Sequence, residues 1–302
     1  MWQVVGQGKA VTLLESSLRK GHISHAYLFV GPPHVGKLTL ARNLAQALNC
    51  ESEEPPCGEC PSCHKIASDK YADVQVIGLP PEDGGKVKIG IDRIREMQAA
   101  ASLPPYEGKH KVFVINGAEH LSDEAANCLL KTLEEPLPGV ILILLTVRER
   151  ILPATITSRC QRVELFPIPC ARMEEVLIER FGIALPEARI LARLSGGCLG
   201  WALSAHLDEE LLARRSRELD ELLELVTAWR EHRLAYAARQ ASQFEKSQES
   251  VRETLTLWMG WWRDLLLTKG GAERFVTNID RQPILSRHLG PIVWGIYRST
   301  SR

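Results

Sequence analysis

Short apolar runs alternate with helical periodicity over the first half of the chain. Five runs have the length and composition of β-strands, at residues 26–30, 74–77, 111–115, 140–146 and 162–166. Several are apolar throughout, as parallel strands buried on both faces usually are. Four segments of helical periodicity lie among them, at residues 9–20, 37–49, 92–101 and 123–134. This alternation predicts a parallel sheet covered by helices on both faces.

The strand pattern stops at Phe166, and Pro167 and Pro169 follow. Three short helices are predicted next, at residues 171–180, 186–194 and 199–206. Beyond about Asp208 the amphipathic segments become longer, among them residues 210–230 and 250–268. We therefore predict an α/β domain, a small helical domain and an all-helical domain, over residues 1–166, 167–207 and 208–302.

Composition and charge narrow the possible functions. Of the residues, 45% are hydrophobic and 25% are charged, as in water-soluble globular proteins. The 37 Lys and Arg balance the 37 Asp and Glu, so we expect any DNA contact to be local or made through a partner. The longest apolar stretch, residues 140–147, is far shorter than the roughly 20 residues that span a membrane. The first residues lack the pattern of a signal peptide, so we expect a cytoplasmic protein without a membrane segment.

A glycine-containing loop directly follows the first predicted strand. Gly31, Gly36 and Lys37 have the spacing of a P-loop, in the strand, loop and helix order that a P-loop requires. The backbone amides of such a loop form a cradle for phosphate groups, and Lys37 is expected to reach the β- and γ-phosphates. The sequence thus predicts a nucleotide-binding loop over residues 31–39.

The loop and a later strand both depart from the pattern of a working ATPase. Leu38 stands where a Ser or Thr hydroxyl normally binds Mg²⁺, and Thr39 lies about 100° further round the helix. Asn116 and Gly117 follow strand 111–115, where a metal-binding Asp and a water-activating Glu are expected. The chain therefore lacks the groups that attack a γ-phosphate, while the loop remains compatible with ATP or ADP bound without hydrolysis.

Four of the eight cysteines lie within fourteen residues, at Cys50, Cys57, Cys60 and Cys63. Four adjacent thiolates can complete the tetrahedral shell of Zn²⁺ with no open position, so we predict a structural zinc site. The alternatives are an iron–sulfur cluster, which four thiolates can also hold, and a site without metal. His64 adjoins the last cysteine and is interpreted as a surface histidine. A metal cluster in a reducing compartment explains this spacing better than disulfides do.

The order of these features resembles bacterial DNA polymerase III clamp-loader subunits. The resemblance rests on the P-loop helix, the four-cysteine module and the segments at residues 5–7, 21–29, 125–136 and 155–161. In the last third of the chain it rests chiefly on residues 261–267. It implies an AAA+ fold, in which the α/β domain is followed by a helical lid and by a C-terminal collar that joins the subunits.

Within that family, motor subunits called gamma or tau keep their hydrolytic residues, whereas delta-prime subunits commonly do not. Leu38, Asn116 and Gly117 are similar to the second type, and Gly200 stands where motor subunits carry a nucleotide-sensing arginine. The resemblance implies a ring of five subunits, including gamma or tau and delta, that loads the sliding clamp on primed DNA.

Arg159, in Ser158-Arg159-Cys160, matches the family's arginine finger. The resemblance implies that this guanidinium reaches a neighbour's nucleotide site and stabilises the negative charge that develops on the γ-phosphate. The alternative is an ordinary arginine at a strand edge, held in an ion pair.

The leading hypothesis is a non-hydrolysing clamp-loader subunit that supplies Arg159 to a neighbouring ATPase. One alternative is an active ATPase of gamma type, in which Thr39 and Glu119 have taken over the missing roles. Another is a zinc-binding nucleic-acid module that acts alone, which the zero net charge disfavours.

Overall fold

The computed structural model describes residues 1–79 and 88–288. A loop predicted at residues 79–85 lies, apart from its first residue, outside the described residues. The chain divides into two compact units, Met1–Pro167 and Ile168–Arg302, called the N-terminal and C-terminal units below. The division into three domains stays a prediction.

A five-stranded sheet forms the centre of the N-terminal unit. Its strands are β1 (Ala26–Val30), β2 (Val74–Ile77), β3 (Lys111–Asn116), β4 (Val140–Thr146) and β5 (Gln161–Glu164). Their spatial order is β2-β3-β4-β1-β5, and every neighbouring pair is parallel. Since the carboxyl ends of parallel strands share one edge, the loops that follow β1, β3 and β4 lie together there. The predicted α/β fold with a parallel sheet is confirmed.

Among the described residues of the N-terminal unit, six α-helices accompany the sheet: α1 (Gly8–Arg19), α2 (Lys37–Asn49), α3 (Pro61–Ala67), α4 (Ile91–Ala101), α5 (Asp123–Glu134) and α6 (Ala154–Thr157). Alternate residues of β1, β3 and β4 pack against α4 and α5 in one core. The intervening residues of these strands are also buried, on the opposite face. The apolar strands therefore reflect burial on both faces of the sheet, as their sequences predicted.

The C-terminal unit is built from helices in all the elements described for it. They are α7 (Cys170–Phe181), α8 (Leu185–Leu194), α9 (Leu199–Leu207), α10 (Glu209–Thr227), α11 (Arg230–Lys246), α12 (Gln248–Lys269) and α13 (Gln282–His288), with two short 3-10 turns. In the described part of the chain, no helix combines the length and the apolar character needed to cross a bilayer.

The helix predicted over residues 210–230 was wrong at its end, and α11 was not predicted. Helix α10 ends at Thr227, and the next two residues are extended before α11 begins. Arg233 of α11 donates hydrogen bonds to the carbonyl oxygens of Leu225 and Val226, at 3.1 and 2.8 Å. These bonds add to the capping of the last turn of α10, where the carbonyl oxygen of Leu225 also accepts from the amide of Ala228. No Gly or Pro marks this turn in the sequence.

Candidate functional site

The P-loop glycines occupy positions that other residues would fill only with strain. A Cβ on Gly31 would lie 2.7 Å from the carbonyl oxygen of Leu165, which is too close for any side chain. Gly36 has φ of +106° and immediately precedes α2. The loop between them thus connects β1 to the N-terminus of α2, in the arrangement expected of a phosphate-binding loop.

Lys37 is folded over the loop that contains it. Its Nζ donates to the carbonyl oxygens of Gly31 and Pro32, both at 2.7 Å. A phosphate at the loop would have to compete with these two carbonyl groups for the ammonium. Leu38 and Thr39 follow as the next residues of α2 and are both half-buried. An apolar side chain at position 38 offers Mg²⁺ no ligand.

The end of β3 lies on the same edge of the sheet as the P-loop, and it carries no carboxylate at positions 116 and 117. Asn116 is exposed, and Gly117 has φ of +82°. A Cβ on Gly117 would lie 3.1 Å from Cδ2 of His120, so a glutamate would be strained there by backbone and by crowding. A side chain at position 117 would therefore require a shift of the backbone or of His120.

Glu119 is the acidic side chain on which the alternative of an active ATPase depends. Its Oε1 accepts a hydrogen bond from the backbone N–H of Val147, at 3.3 Å, just past the end of β4. Its Oε2 is buried and has no hydrogen-bond partner among the residues that the structure describes. Because β4 pairs with β1, this carboxylate lies at the sheet edge from which the P-loop starts.

The four cysteines of the predicted metal site lie together. Cys50 follows the last residue of α2, and Cys60 caps the N-terminus of α3, where its Sγ accepts from the amide of Cys63. All four Sγ atoms lie within 4.8 Å of one another. The Sγ of Cys50 is 3.5 Å from that of Cys57 and 4.0 Å from that of Cys60, and Cys57 and Cys63 are 3.9 Å apart.

These distances fit a tetrahedral metal. Zn–S bonds of about 2.3 Å at tetrahedral angles place the sulfur atoms about 3.8 Å apart. The cluster accordingly has the donor set and the spacing of a closed four-thiolate site. His64, by contrast, is exposed.

Backbone amides support the charged form of one cysteine. The N–H groups of Glu59 and Cys60 donate to the Sγ of Cys57, at 3.4 and 3.3 Å, and lower the pKa of Cys57 to about 6. Burial acts in the opposite direction on Cys63 and raises its pKa to about 12. A bound cation would offset that penalty, since metal-bound cysteines are thiolates.

Two side chains outside the four cysteines hold the backbone of the cysteine cluster. The Nζ of Lys109 donates to the carbonyl oxygen of Cys50, and the Nε2 of Gln46 donates to that of Cys63, each at 2.9 Å. Sequence reasoning missed both, because a lysine and a glutamine carry no local mark of such a role. Through these bonds the module is attached to α2 and to the segment that enters β3.

Arg159 lies between α6 and β5 and contacts the end of α5. Its Nη2 is 2.8 Å from the Oε1 of Glu134, and its Nη1 donates to the carbonyl oxygen of Thr155 at 3.0 Å. The side chain of Arg159 is 37% exposed and that of Glu134 is 50% exposed. The guanidinium is thus in an ion pair and also accessible to a neighbouring molecule. Nothing in the sequence around Glu134 indicates this contact.

Helix α12 of the C-terminal unit carries an exposed apolar stripe. The sequence did not show which apolar side chains of this helix are exposed. Leu255, Met259 and Leu266 are 51%, 66% and 71% exposed and share one face of the helix. Trp261, also on α12, is fully buried in the core of the unit. The stripe is a candidate interface, separate from the buried face of the same helix.

Comparison with known proteins gives the following similarities. A family model described as DNA polymerase III, delta subunit, matches residues 6–169. The DNA polymerase III subunit delta' of Bacillus subtilis is 30% identical over 268 residues, covering 88% of this chain and 79% of that protein. The DNA polymerase III subunit tau of Escherichia coli is 38% identical over 208 residues, which cover 67% of this chain. The chain matches only 31% of the length of that tau subunit.

Two solved structures give weaker likenesses. A DNA polymerase III gamma subunit-related protein of Thermotoga maritima is 22% identical, with a TM-score of 0.39, covering 85% of this chain and 83% of that one. A DNA clamp loader delta protein of Bacillus subtilis is 15% identical, with a TM-score of 0.37, covering 97% of this chain and 94% of that one. Neither likeness bears on the chemistry of the site.

Proposed function

The chain belongs to the DNA polymerase III clamp-loader subunits, and from this membership we propose that it is a subunit that hydrolyses no nucleotide itself. In this role it supplies Arg159 to the nucleotide site of a neighbouring ATPase subunit. Gamma or tau and delta subunits are its proposed partners in a ring of five. The sliding clamp and primed DNA are reached through that complex, which works in the cytoplasm.

The end of β3 carries this proposal. ATP hydrolysis needs a carboxylate to hold the metal and a base to activate water, and these positions are Asn116 and Gly117. Gly117 is left-handed and faces His120, which opposes a base at this position. Leu38 in place of a hydroxyl residue removes a further ligand. Three losses in one site favour a chain that does not perform the reaction.

Nucleotide binding without hydrolysis is compatible with the same residues. Gly31 and Gly36 keep the loop shape, Lys37 supplies a positive charge, and the N-terminus of α2 supplies amide donors. Thr39 carries a hydroxyl one position later in α2, about 100° further round the helix than the usual magnesium ligand. We propose that ATP or ADP binds here as a fixed part of the subunit.

The alternative of an active gamma-type ATPase is favoured by one observation. The Oε2 of Glu119 is buried without a hydrogen-bond partner among the described residues, as a carboxylate awaiting a ligand would be. The bond from Val147 to the other oxygen ties the same side chain to the backbone. This anchoring favours a structural role over a mobile base.

The cysteine module is proposed to hold zinc through Cys50, Cys57, Cys60 and Cys63. Four thiolates leave the metal no open position, so its role is structural and it supplies no chemistry to the reaction.

The α12 stripe is proposed as the surface that contacts the other loader subunits. An amphipathic helix with a second exposed apolar face is suited to helix packing with a partner.

A paired substitution in a reconstituted loader tests the proposal. Arg159→Ala is expected to reduce DNA-stimulated phosphate release, because arginine fingers contribute on the order of 10³-fold or more at the site they serve. Lys37→Ala in this chain should change turnover much less. Arg172→Ala, which removes another exposed arginine from an ion pair, is the control.

The opposite pattern would show that the chain is a motor. If Lys37→Ala abolishes phosphate release and Arg159→Ala leaves it unchanged, the non-hydrolysing role is wrong. The purified chain alone should also show no magnesium-dependent ATP turnover above background. Turnover that Lys37→Ala or Glu119→Gln removes would favour the alternative.

A further inference from the structure

The guanidinium of Arg159 is held from two sides by groups of its own chain. Glu134, the last residue of α5, contacts Nη2 at 2.8 Å. The carbonyl oxygen of Thr155, in α6, accepts from Nη1 at 3.0 Å, and the hydroxyl of Ser158 lies 3.5 Å from the same nitrogen. Contacts at both terminal nitrogens restrain the plane of the group as well as its position.

We propose that Glu134 is a positioning residue for Arg159, an inference that rests on the proposed role of Arg159 as an arginine finger. A guanidinium has five N–H donors. The contacts to Glu134, Thr155 and Ser158 occupy up to three of them, which leaves donors for the phosphate of a neighbour. Glu134 thus favours one orientation of the arginine before assembly and leaves free the N–H groups that would act on the nucleotide.

The position of Glu134 argues that it is not there to stabilise its own helix. The C-terminus of a helix carries partial negative charge and disfavours an acidic side chain. The other charged residues at the ends of α5 are placed favourably for the helix dipole, with Asp123 and Glu124 in the first turn and Lys131 in the last. The negative charge of Glu134 is unfavourable at this end of the helix. Its contact with Arg159 explains why a glutamate stands there.

The expected effect is modest because the pair is half exposed. Water screens such an ion pair, so Glu134 biases the arginine toward one orientation rather than locking it. Without this bias the guanidinium of Arg159 must be oriented again at each turnover. It then stabilises the transition state less well, and the rate of hydrolysis falls. Coupling energies of exposed pairs correspond to roughly two- to fivefold in rate.

A double-mutant cycle in the reconstituted loader tests the inference. Glu134→Ala, Arg159→Ala and the double variant are compared by kcat and KM for DNA-stimulated phosphate release. We expect Glu134→Ala to lower kcat about two- to fivefold with KM for ATP little changed, and to have no further effect when Arg159 is already alanine. Glu134→Gln, which keeps an acceptor oxygen, should recover part of the loss.

Glu135→Ala is the matched control, because it removes the same charge from the same helix end. The melting temperature of the Glu134 variants should equal that of the parent chain. The inference is overturned if Glu134→Ala leaves kcat unchanged while Arg159→Ala lowers it, or if Glu134→Ala lowers kcat equally in both backgrounds. A loader that is indifferent to Arg159→Ala overturns the arginine-finger proposal itself, and the positioning role with it.

Discussion

The side chain of Lys109 donates a hydrogen bond to the carbonyl oxygen of Cys50, 2.9 Å away and 59 positions earlier in the chain. Cys50 is a proposed metal ligand, and Lys109 lies just before strand β3, an interior strand of the sheet. A structural metal at the cysteines would therefore be coupled to the α/β body, so its loss should be felt beyond the module.

Metal analysis should return about one Zn²⁺ per chain, because four thiolates at these distances form a closed shell. Cys57→Ser should sharply lower the zinc content and the melting temperature of the N-terminal unit. Cys170→Ser, which alters a cysteine outside the cluster, is the control. Zinc near zero in protein purified without a chelator would contradict the assignment, and iron in its place would favour the cluster alternative.

Gly117→Ala should lower the free energy of unfolding by about 1 kcal/mol or more, because alanine disfavours the left-handed conformation found there. Gly260→Ala is the matched control, since Gly260 lies in the interior of α12 with open space around it. That change should be neutral or stabilising. Chemical denaturation followed by circular dichroism measures both. A neutral Gly117→Ala would remove the strain argument against a base at this position.

Asp73 should make the stability of the N-terminal unit depend on acid pH. Burial by itself raises the pKa of Asp73, but hydrogen bonds from the amides of Tyr106, Glu107 and Gly108, each at 2.8 Å, bring it below the usual value. The lowered pKa stabilises the folded state above the unfolded-state value of about 3.9, and this contribution is lost as the pH falls through the folded-state pKa.

Asp73→Asn should therefore cost about 1–3 kcal/mol in the free energy of unfolding at pH 7 and flatten its decline below about pH 4. Urea unfolding at about five pH values between pH 2 and pH 7 measures the free energy of unfolding and its dependence on pH. Asp69→Asn, at an aspartate exposed in an ion pair with Arg42, should change stability much less. If, below about pH 4, the free energy of unfolding of Asp73→Asn falls as steeply as that of the parent chain, this role of Asp73 is wrong.

Met259→Glu and Leu266→Glu should weaken assembly with other loader subunits, because each places a charge in the α12 stripe. Both side chains are exposed, so the melting temperature of the isolated chain should hardly change. Ser242→Glu, at an exposed polar position of α11, is the control. Co-purification and sedimentation of the loader provide the measurement. Normal assembly of both variants would exclude the stripe as the contact surface.

Local features of the sequence were enough to predict much of the N-terminal unit. The helices expected at residues 37–49 and 123–134 have those bounds in the structure, because apolar periodicity is set by the residues of one element. Strand β4 was likewise predicted over its full length. The turn at Ala228 and Trp229 was missed, because a side chain from the following helix stabilises it rather than a local turn signal.

The amino-acid sequence alone predicts the parallel-sheet unit, the P-loop glycines and the clustered cysteines, and it places Leu38, Asn116 and Gly117 where a working ATPase is expected to carry other residues. Residue identity and spacing along one segment are sufficient for each of these. Three features are visible only in the folded chain: Glu134 contacts Arg159, Lys109 donates to the carbonyl group of Cys50, and Met259 is exposed while Trp261 is buried. Such contacts join residues far apart in the chain, and the packing of whole elements selects them.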